Sequence, residues 1–310
     1  MKRLWWLALL AWPATAPACE YCLLSQGASP LETMQGSGVK LALRRTVLDE
    51  LFHGSDELPN PGARESFWTL EMSAFHALND QWTLIGVVPL RRTELDGHLH
   101  AHEDGDLELH PDTGTATGLG DVSLLARYSF FTTHSLAATT ILAASAGIKL
   151  PTGSTRKRTD DGELMDAHTQ LGTGSTDLLL GLSFSHLHAG FGLAANLLAA
   201  IPGEGEAGAD EHQFGNSVNY DLTGRFRLST ARETFLTLGV VGEWRGEEET
   251  NGIPDPNTGG HVVYLAPGFQ FRLTPQWTIE GLYQHPLWHH LRGTQIGESY
   301  KASLSLTYLF

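Results

Sequence analysis

The 310-residue sequence has few cysteines, few basic residues and no long apolar run after its N-terminus, and each of these shortages excludes a class of protein. Two cysteines are too few for a disulfide-stapled scaffold or a multi-cysteine zinc module. Its 20 Lys and Arg are outnumbered by 35 Asp and Glu, so it lacks the basic stripe of a nucleic-acid-binding protein. The charged fraction, 18%, lies below the ~25% of an average soluble domain. After the N-terminus no apolar run is long enough to span a bilayer as a helix.

The N-terminus predicts a secretory signal peptide spanning residues 1–18. A basic pair, Lys2 and Arg3, precedes a short apolar segment, and Ala16-Pro17-Ala18 places small residues at the cleavage position. We expect cleavage before Cys19, which exports the chain to an oxidising compartment.

Residues 19–37 form a second segment of the predicted organisation. There Cys19 and Cys22 can form a disulfide, and a plain pair of thiols is the other interpretation. Acylation of Cys19, as in a lipoprotein, is a further alternative. The segment is expected either to lie in the periplasm or to plug the structure formed by residues 38–310.

From residue 38 onward, apolar and polar side chains alternate. In the last segment Leu304 and Leu306 share one face, while Ser303 and Ser305 occupy the other. Twelve such segments occur: 38–50, 66–78, 82–93, 119–131, 136–150, 175–186, 189–201, 216–229, 235–246, 261–273, 277–287 and 299–310. Short turns and long polar loops alternate between them.

This pattern predicts an all-β fold, a closed antiparallel transmembrane β-barrel of twelve strands with short periplasmic turns and long extracellular loops. Within the lipid bilayer, a closed sheet gives every backbone N–H and C=O group a hydrogen-bond partner on a neighbouring strand. A soluble β-sandwich also alternates, but it does not predict alternating turn lengths. Aromatic residues such as Trp82 and Trp277 near the short turns, and Trp68 and Trp244 near the long loops, suggest two interfacial girdles. The expected location is the cell outer membrane.

Several motifs then resemble a known family. They are Gly118-Leu119-Gly120-Asp121, Ala126-Arg127-Tyr128, Lys149-Leu150-Pro151-Thr152-Gly153, the run 172–177, Ala266-Pro267-Gly268, Gly293-Thr294-Gln295 and the terminal Phe310. In this order they resemble the outer-membrane transporter family associated with the meta-pathway of phenol degradation, over residues 115–310. The glycines and Pro151 also fit a purely structural role at turns and strand ends.

The resemblance implies a channel for passive uptake of small, often aromatic or hydrophobic, molecules, and it brings no catalytic residues. The protein is therefore expected not to be an enzyme. A barrel-fold enzyme is disfavoured because no Ser/His/Asp-like cluster is evident near one rim. Expected partners are the small-molecule substrate, outer-membrane lipid and lipopolysaccharide, and the barrel assembly machinery, which reads the C-terminal strand.

Alternation places a set of charged side chains inside the barrel. The predicted lumen-lining residues are Glu71, Arg91, Asp121, Arg127, Lys149, Asp177, Asp221, Arg225, Arg227, Glu243, Arg245, Arg272, Glu280 and Lys301, joined by Lys40 and Arg44. Two roles remain open: ion pairs that hold the wall together, or a narrow aqueous path that selects by charge. Their basic excess suits an aromatic acid or phenolate as well as a hydrophobic solute. Asp121 and Asp177 are the strongest functional candidates among the family-like motifs.

The predicted outer loops carry 23 acidic against five basic residues, so the excess negative charge lies outside. In loop 94–118, His98, His100 and His102 alternate and His110 follows, so their imidazoles can converge on one ion. Imidazole suits Zn, Cu or Ni. The rival function is therefore an outer-membrane metal-binding or metal-handling protein. No other cofactor is expected.

Overall fold

The computed structural model describes residues 36–101, 107–208, 210–229 and 233–310. Twelve long strands form its wall. They are β1 (Ser37–His53), β2 (Arg64–Ala77), β3 (Trp82–Ala101), β4 (Val122–His134), β5 (Ala138–Leu150), β6 (Asp177–His188), β7 (Phe191–Ile201), β8 (Ser217–Ser229), β9 (Thr234–Arg245), β10 (Gly260–Arg272), β11 (Trp277–Leu291) and β12 (Thr294–Leu309).

Each strand pairs antiparallel with the next, and β12 returns to β1. That closing ladder is long, because Gly38 pairs with Leu309 at one end and His53 with Thr294 at the other. The predicted closed barrel of twelve strands is confirmed. In the described part of the chain, no helix is long and apolar enough to cross a membrane.

The outer surface of the barrel is apolar, as the alternation predicts. On β1, Val39, Leu41 and Leu43 are 43–45% exposed, whereas the intervening Lys40 and Ala42 are 7% and 5% exposed. A soluble monomer rarely exposes so continuous an apolar band, but a membrane barrel presents one to the lipid chains.

Aromatic pairs mark the periplasmic edge of this band. The Trp82 and Tyr128 rings lie 4.7 Å apart beside the β2–β3 turn, and the Trp277 and Tyr308 rings lie 4.6 Å apart beside the β10–β11 turn. Amphipathic rings favour this depth because one edge contacts lipid and the other contacts water.

Two of the predicted loops differ from expectation. Residues Leu107–Leu119 form a strand that runs back along the outer part of β3, so much of loop 94–118 is a hairpin. There Thr113, Thr115 and Thr117 alternate with small residues, and β-branched threonine favours extended backbone.

The predicted long loop 287–298 is also largely strand. β11 continues to Leu291, β12 begins at Thr294, and only Arg292 and Gly293 join them. Gly293 has a φ of +50°, a conformation that side chains other than glycine rarely adopt, and so permits this tight connection. The neighbouring histidines made the segment look like a polar loop.

The signal peptide and both cysteines lie outside the described residues. Cleavage, the state of Cys19 and Cys22, and the position of segment 19–37 therefore stay predictions. Beyond the outer rim, Gly205–Ala207, Asp210–Gln213, Glu249–Thr250 and Ile253–Pro254 form a small second sheet.

We expect Leu41→Arg to destabilise the barrel, because it places a charge on the lipid-facing side near the middle of β1. A charge near the bilayer midplane costs about 2–4 kcal/mol. Denaturant titration of the protein folded into lipid vesicles measures the free energy of unfolding. Leu41→Met is the control and should change it by less than about 1.5 kcal/mol. An arginine variant as stable as the parent would show that Leu41 does not face hydrocarbon.

Candidate functional site in the barrel lumen

The charged side chains predicted to face inward lie on the covered side of the wall. Twelve are buried: Lys40, Glu71, Arg91, Asp121, Arg127, Lys149, Asp177, Asp221, Arg225, Glu243, Arg245 and Lys301. Arg44, Arg227, Arg272 and Glu280 are partly exposed. Whether a solute passes along these side chains stays a prediction, but their contacts fall into distinct clusters.

The first cluster joins three of the family-like motifs. Lys149 Nζ lies 3.2 Å from an oxygen of Asp121 and 2.8 Å from an oxygen of Asp177. Thr173 also bonds Lys149 and Asp121, and Ser175 donates to Asp177 at 2.6 Å. All these groups are buried, so one lysine stabilises two carboxylates away from bulk water.

Asp121 also holds the segment 151–176, which connects β5 to β6. The backbone N–H groups of Gly153 and Thr173 each donate to the Asp121 carboxylate at 2.8 Å. Arg91 donates to the carbonyls of Gln170 and Leu171, at 3.1 and 3.2 Å. Because Arg91 points inward from β3, segment 151–176 lies against the inner face of the wall.

Apolar packing reinforces this position. Met165 and Leu171, both 1% exposed, pack against Leu95 and Ala116 on the hairpin formed with β3. Segment 151–176 thus covers the outer part of the lumen on the side of β3 to β6.

The glycines in these motifs do more than permit turns. A Cβ on Gly153 would lie 2.6 Å from the Gly172 Cα, so the two backbones approach too closely for any side chain. Only Gly174 among Gly118, Gly120, Gly172 and Gly174 has a positive φ, at +72°. The turn interpretation therefore holds for Gly174, and close backbone packing explains Gly172.

The second cluster is an ionic ring formed by β9 and β12. Arg245 lies 2.9 Å from both Glu243 and Glu298, while Lys301 lies 2.6 Å from Glu243 and 3.4 Å from Glu298. Lys301 also sits 4.7 Å above the ring of Tyr264, which is fully buried. Two cations and two anions balance here.

Sequence reasoning missed Glu298 and several neutral groups of the lumen. Simple alternation from Lys301 would point Glu298 outward. Register shifts between β1 and β12 around Leu48 interrupt that alternation, so Glu298 points inward. Asn196, Asn219 and Gln270 obey the same alternation as their charged neighbours, so counting all polar side chains rather than charges would have found them.

A cavity of about 150 Å³ lies in the periplasmic half of the lumen. Leu187, Ala194, Val241, Ala266 and Leu282 supply apolar surface. Its charged lining residues balance in sign: Lys40, Arg44 and Arg225 against Glu71, Asp221 and Glu280. An apolar cavity of about this volume can hold benzene.

Hydrogen bonds fix the polar groups around this cavity. Lys40 lies 3.2 Å from Glu280, Asn196 donates to Asp221 at 3.0 Å, and Arg225 donates to Gln270 at 2.8 Å. The cavity is therefore a mixed site, with apolar walls and polar groups in set positions.

An ion pair at the outer rim ties segment 151–176 to β2. His168 Nε2 lies 3.0 Å from Glu65, whose side chain is 3% exposed. Burial lowers the pKa of His168, but the Glu65 carboxylate raises it more, so that the pKa stands at about 10. His168 is charged at neutral pH and carries a rim contact that sequence reasoning did not anticipate.

The candidate metal ligands are brought together only in part. The register of β3 with Leu107–Leu119 places His98 opposite His110 and His100 opposite Glu108. His102 lies outside the described residues. Among the described residues, no group of three or more His, Cys, Asp or Glu converges on a possible metal position. Metal binding at this hairpin stays a prediction.

A closed twelve-stranded wall with an apolar outer face and a polar, ionised inner face defines an outer-membrane β-barrel of the kind that forms channels. The protein is located in the cell outer membrane. The family model described as "Putative MetA-pathway of phenol degradation" matches residues 65–303. The chain belongs to this family, which confirms the resemblance seen in its motifs.

Solved structures show the same architecture. An outer membrane channel from Pseudomonas putida F1 is similar with a TM-score of 0.69 and 16% identity, over 91% of this chain and 100% of that chain. The transport unit of the autotransporter AIDA-I from Escherichia coli is similar with a TM-score of 0.52 and 10% identity, over 93% and 96% of the two chains. At these identities the likeness concerns the fold. No curated protein matches the chain.

We expect Asp121→Ala to release segment 151–176 from the wall. It leaves Lys149 with one carboxylate and removes the acceptor of two backbone N–H groups. Breaking a buried ion pair costs about 3–5 kcal/mol, and cleavage tracks the population of the opened form. Trypsin should then cut at Arg156 to Arg158 at least about tenfold faster. The exposed Asp161→Ala is the control, and equal rates in the two variants would contradict the anchoring role of Asp121.

We expect the rim contact of His168 to depend on pH. Its folded-state pKa, about 10, lies above the ordinary 6.5. The stabilisation is therefore complete below pH 6.5 and is lost as the pH rises through about 10. Cleavage of segment 151–176 by proteinase K should accelerate over that range. His168→Gln should be cut faster than the parent at neutral pH, and its cleavage rate should rise less than the parent's as the pH increases further. If the cleavage rate of the parent does not change with pH, the ion pair does not stabilise the segment.

Proposed function

We propose that the protein is a channel for passive uptake of small molecules the size of a single aromatic ring, and that it carries out no catalysis. The observation that carries the proposal is the lumen cavity of about 150 Å³ inside a closed barrel. Because the barrel wall is closed, a solute can cross the membrane mainly through the lumen. The volume of the cavity then limits the size of the solute that the lumen can hold.

The lining favours a neutral ring with one polar group, such as a phenol. Leu187, Val241 and Leu282 offer apolar surface, while Asn196 and Asp221 offer polar atoms at one side. Three basic and three acidic residues line the cavity, so it holds no excess of either sign. This local balance favours phenol over an aromatic acid at the cavity, although the whole set of inward-facing charged residues has a basic excess. Membership of a family named after phenol degradation agrees with this choice.

The outer face of the barrel and its C-terminal residue support further partners. The apolar outer face of β1 and its neighbours supports contact with membrane lipid and lipopolysaccharide. Phe310 is 75% exposed at the end of the closing strand, where it is accessible to the barrel assembly machinery.

We expect Ala194→Phe to obstruct the cavity, because Ala194 lines it and is buried. Each ~1.4 kcal/mol added to a barrier lowers a rate about tenfold, so uptake should fall at least that much. Ala195→Phe, on the opposite face of β7, is the matched control and should leave uptake unchanged.

The measurement is uptake of radiolabelled phenol by cells producing each variant, in an outer membrane without other channels for aromatic compounds. The parent protein should raise uptake above that of cells carrying an empty vector. If the parent raises uptake of neither phenol nor benzoate, the proposed function is wrong. If Ala194→Phe matches Ala195→Phe, the cavity is not on the route.

A further inference from the structure

Two charged residues that line the lumen cavity, Arg44 and Glu71, keep unused hydrogen-bonding atoms. The other four charged residues of the lining are bonded to neighbouring side chains. One oxygen of Glu71 accepts from Ser73 at 2.9 Å, but Oε2 has no hydrogen-bond partner among the described residues. Arg44 makes neither a hydrogen bond nor an ion pair with any residue that the structure describes, and its Nε atom is buried.

These unused atoms distinguish the two residues from the rest of the lining. The Glu71 side chain is only 2% exposed, so water reaches it poorly. A buried polar atom without a partner costs free energy, and most buried polar groups in proteins are bonded. A molecule that enters the cavity and bonds these atoms therefore gains an interaction that the empty wall lacks.

The register of the wall places Arg44 and Glu71 side by side. Ala42 pairs with Glu71, and Arg44 pairs with Thr69, so Arg44 and Glu71 are diagonal neighbours on the inner face of β1 and β2. Such neighbours are about 7–8 Å apart, within reach of long side chains. A single small group between them can accept from Arg44 and donate to Glu71.

The wall across the cavity from this pair offers apolar surface. In the closed ring of twelve strands β7 is six strands from β1 in either direction, so the two face each other across the lumen. There Ala194 on β7 and Val241 on β9 line the cavity, and both are buried. A bound molecule can therefore direct a polar group toward β1 and β2 while its apolar body contacts β7 and β9.

We propose that Arg44 and Glu71 recognise the hydroxyl group of a phenol and determine the specificity of the channel. The phenolic O–H donates to Glu71 Oε2, and the phenolic oxygen accepts from the Arg44 guanidinium. This inference rests on the proposed function and names the part of the cavity that selects the solute.

The chemistry of the pair explains why a hydroxyl group fits best. A hydroxyl group carries a donor and an acceptor on one atom, whereas the methyl group of toluene offers neither. The carboxylate of benzoate has no proton to donate, and it would place a negative charge beside Glu71. A site that hydrogen-bonds a hydroxyl group rejects an analogue without one, because its own polar atoms are then left unpaired.

The test replaces the acceptor of the pair. Uptake of radiolabelled phenol and of toluene is measured separately, at concentrations well below saturation, in the cells described above. The parent should take up phenol at least about tenfold faster than toluene. Glu71→Leu, with an apolar side chain of similar size, should lower phenol uptake at least about tenfold and raise toluene uptake. Glu71→Gln keeps an acceptor oxygen, so its phenol uptake should lie between those of the parent and Glu71→Leu.

A second variant removes the donor. Arg44→Met should also lower phenol uptake relative to toluene uptake. The matched control is Arg45→Met on the opposite face of β1, where Arg45 stacks on Trp68, and it should leave both rates unchanged. Denaturant titration in lipid vesicles checks that each variant folds. Damage to the barrel would lower both rates together, whereas loss of recognition changes their ratio.

Two results would overturn the recognition of the hydroxyl group and leave the channel standing. One is a parent protein that carries toluene as fast as phenol. The other is a ratio of phenol to toluene uptake that stays at the parent's value in both Glu71→Leu and Arg44→Met. A parent that raises uptake of neither phenol nor benzoate would instead remove the proposed function itself.

Discussion

Backbone N–H and C=O groups have no water to bond inside a bilayer, and satisfying them is the constraint on which the rest of this structure depends. The closing ladder of β1 with β12 removes the last free edge. Once the sheet is closed, every strand must present alternate residues to lipid and to the interior. Leu41 and its neighbours then face the acyl chains, and the intervening polar side chains are forced together in a narrow space. The lumen chemistry is thus a consequence of closure.

Forcing charges together would destabilise the barrel if they were not matched. Burial raises the cost of an isolated charge, and attraction to a partner offsets it only at short range. Lys149 between Asp121 and Asp177, and the ring of Glu243, Arg245, Glu298 and Lys301, meet this requirement with distances of 2.6–3.4 Å. These clusters also decide where solute can go. They lie in the outer half of the lumen, where segment 151–176 also packs, and the cavity lies in the periplasmic half.

The parts of the molecule suited to movement are those that closure does not need. Segment 151–176 is held by side chains such as Asp121 and His168. Such contacts open locally without disturbing the ladder, because each involves a few rotatable groups. A rigid wall with side-chain closures reconciles a sealed membrane with passage of a small molecule.

Much of this architecture follows from local pattern. The twelve strands of the wall, the facing of their regular parts and the family could be predicted, because strand period, turn length and short motifs are properties of neighbouring residues. The sequence could not show that Gly153 meets Gly172, that Asp121 bonds Thr173, or that residues 287–298 are largely strand. The sequence by itself determined the twelve wall strands and the facing of their regular parts, because strand period is a property of neighbouring residues. The pairing of charges, the cavity and the facing beyond the bulges were decided by the tertiary structure, because bulges and contacts between distant residues depend on how the whole sheet closes.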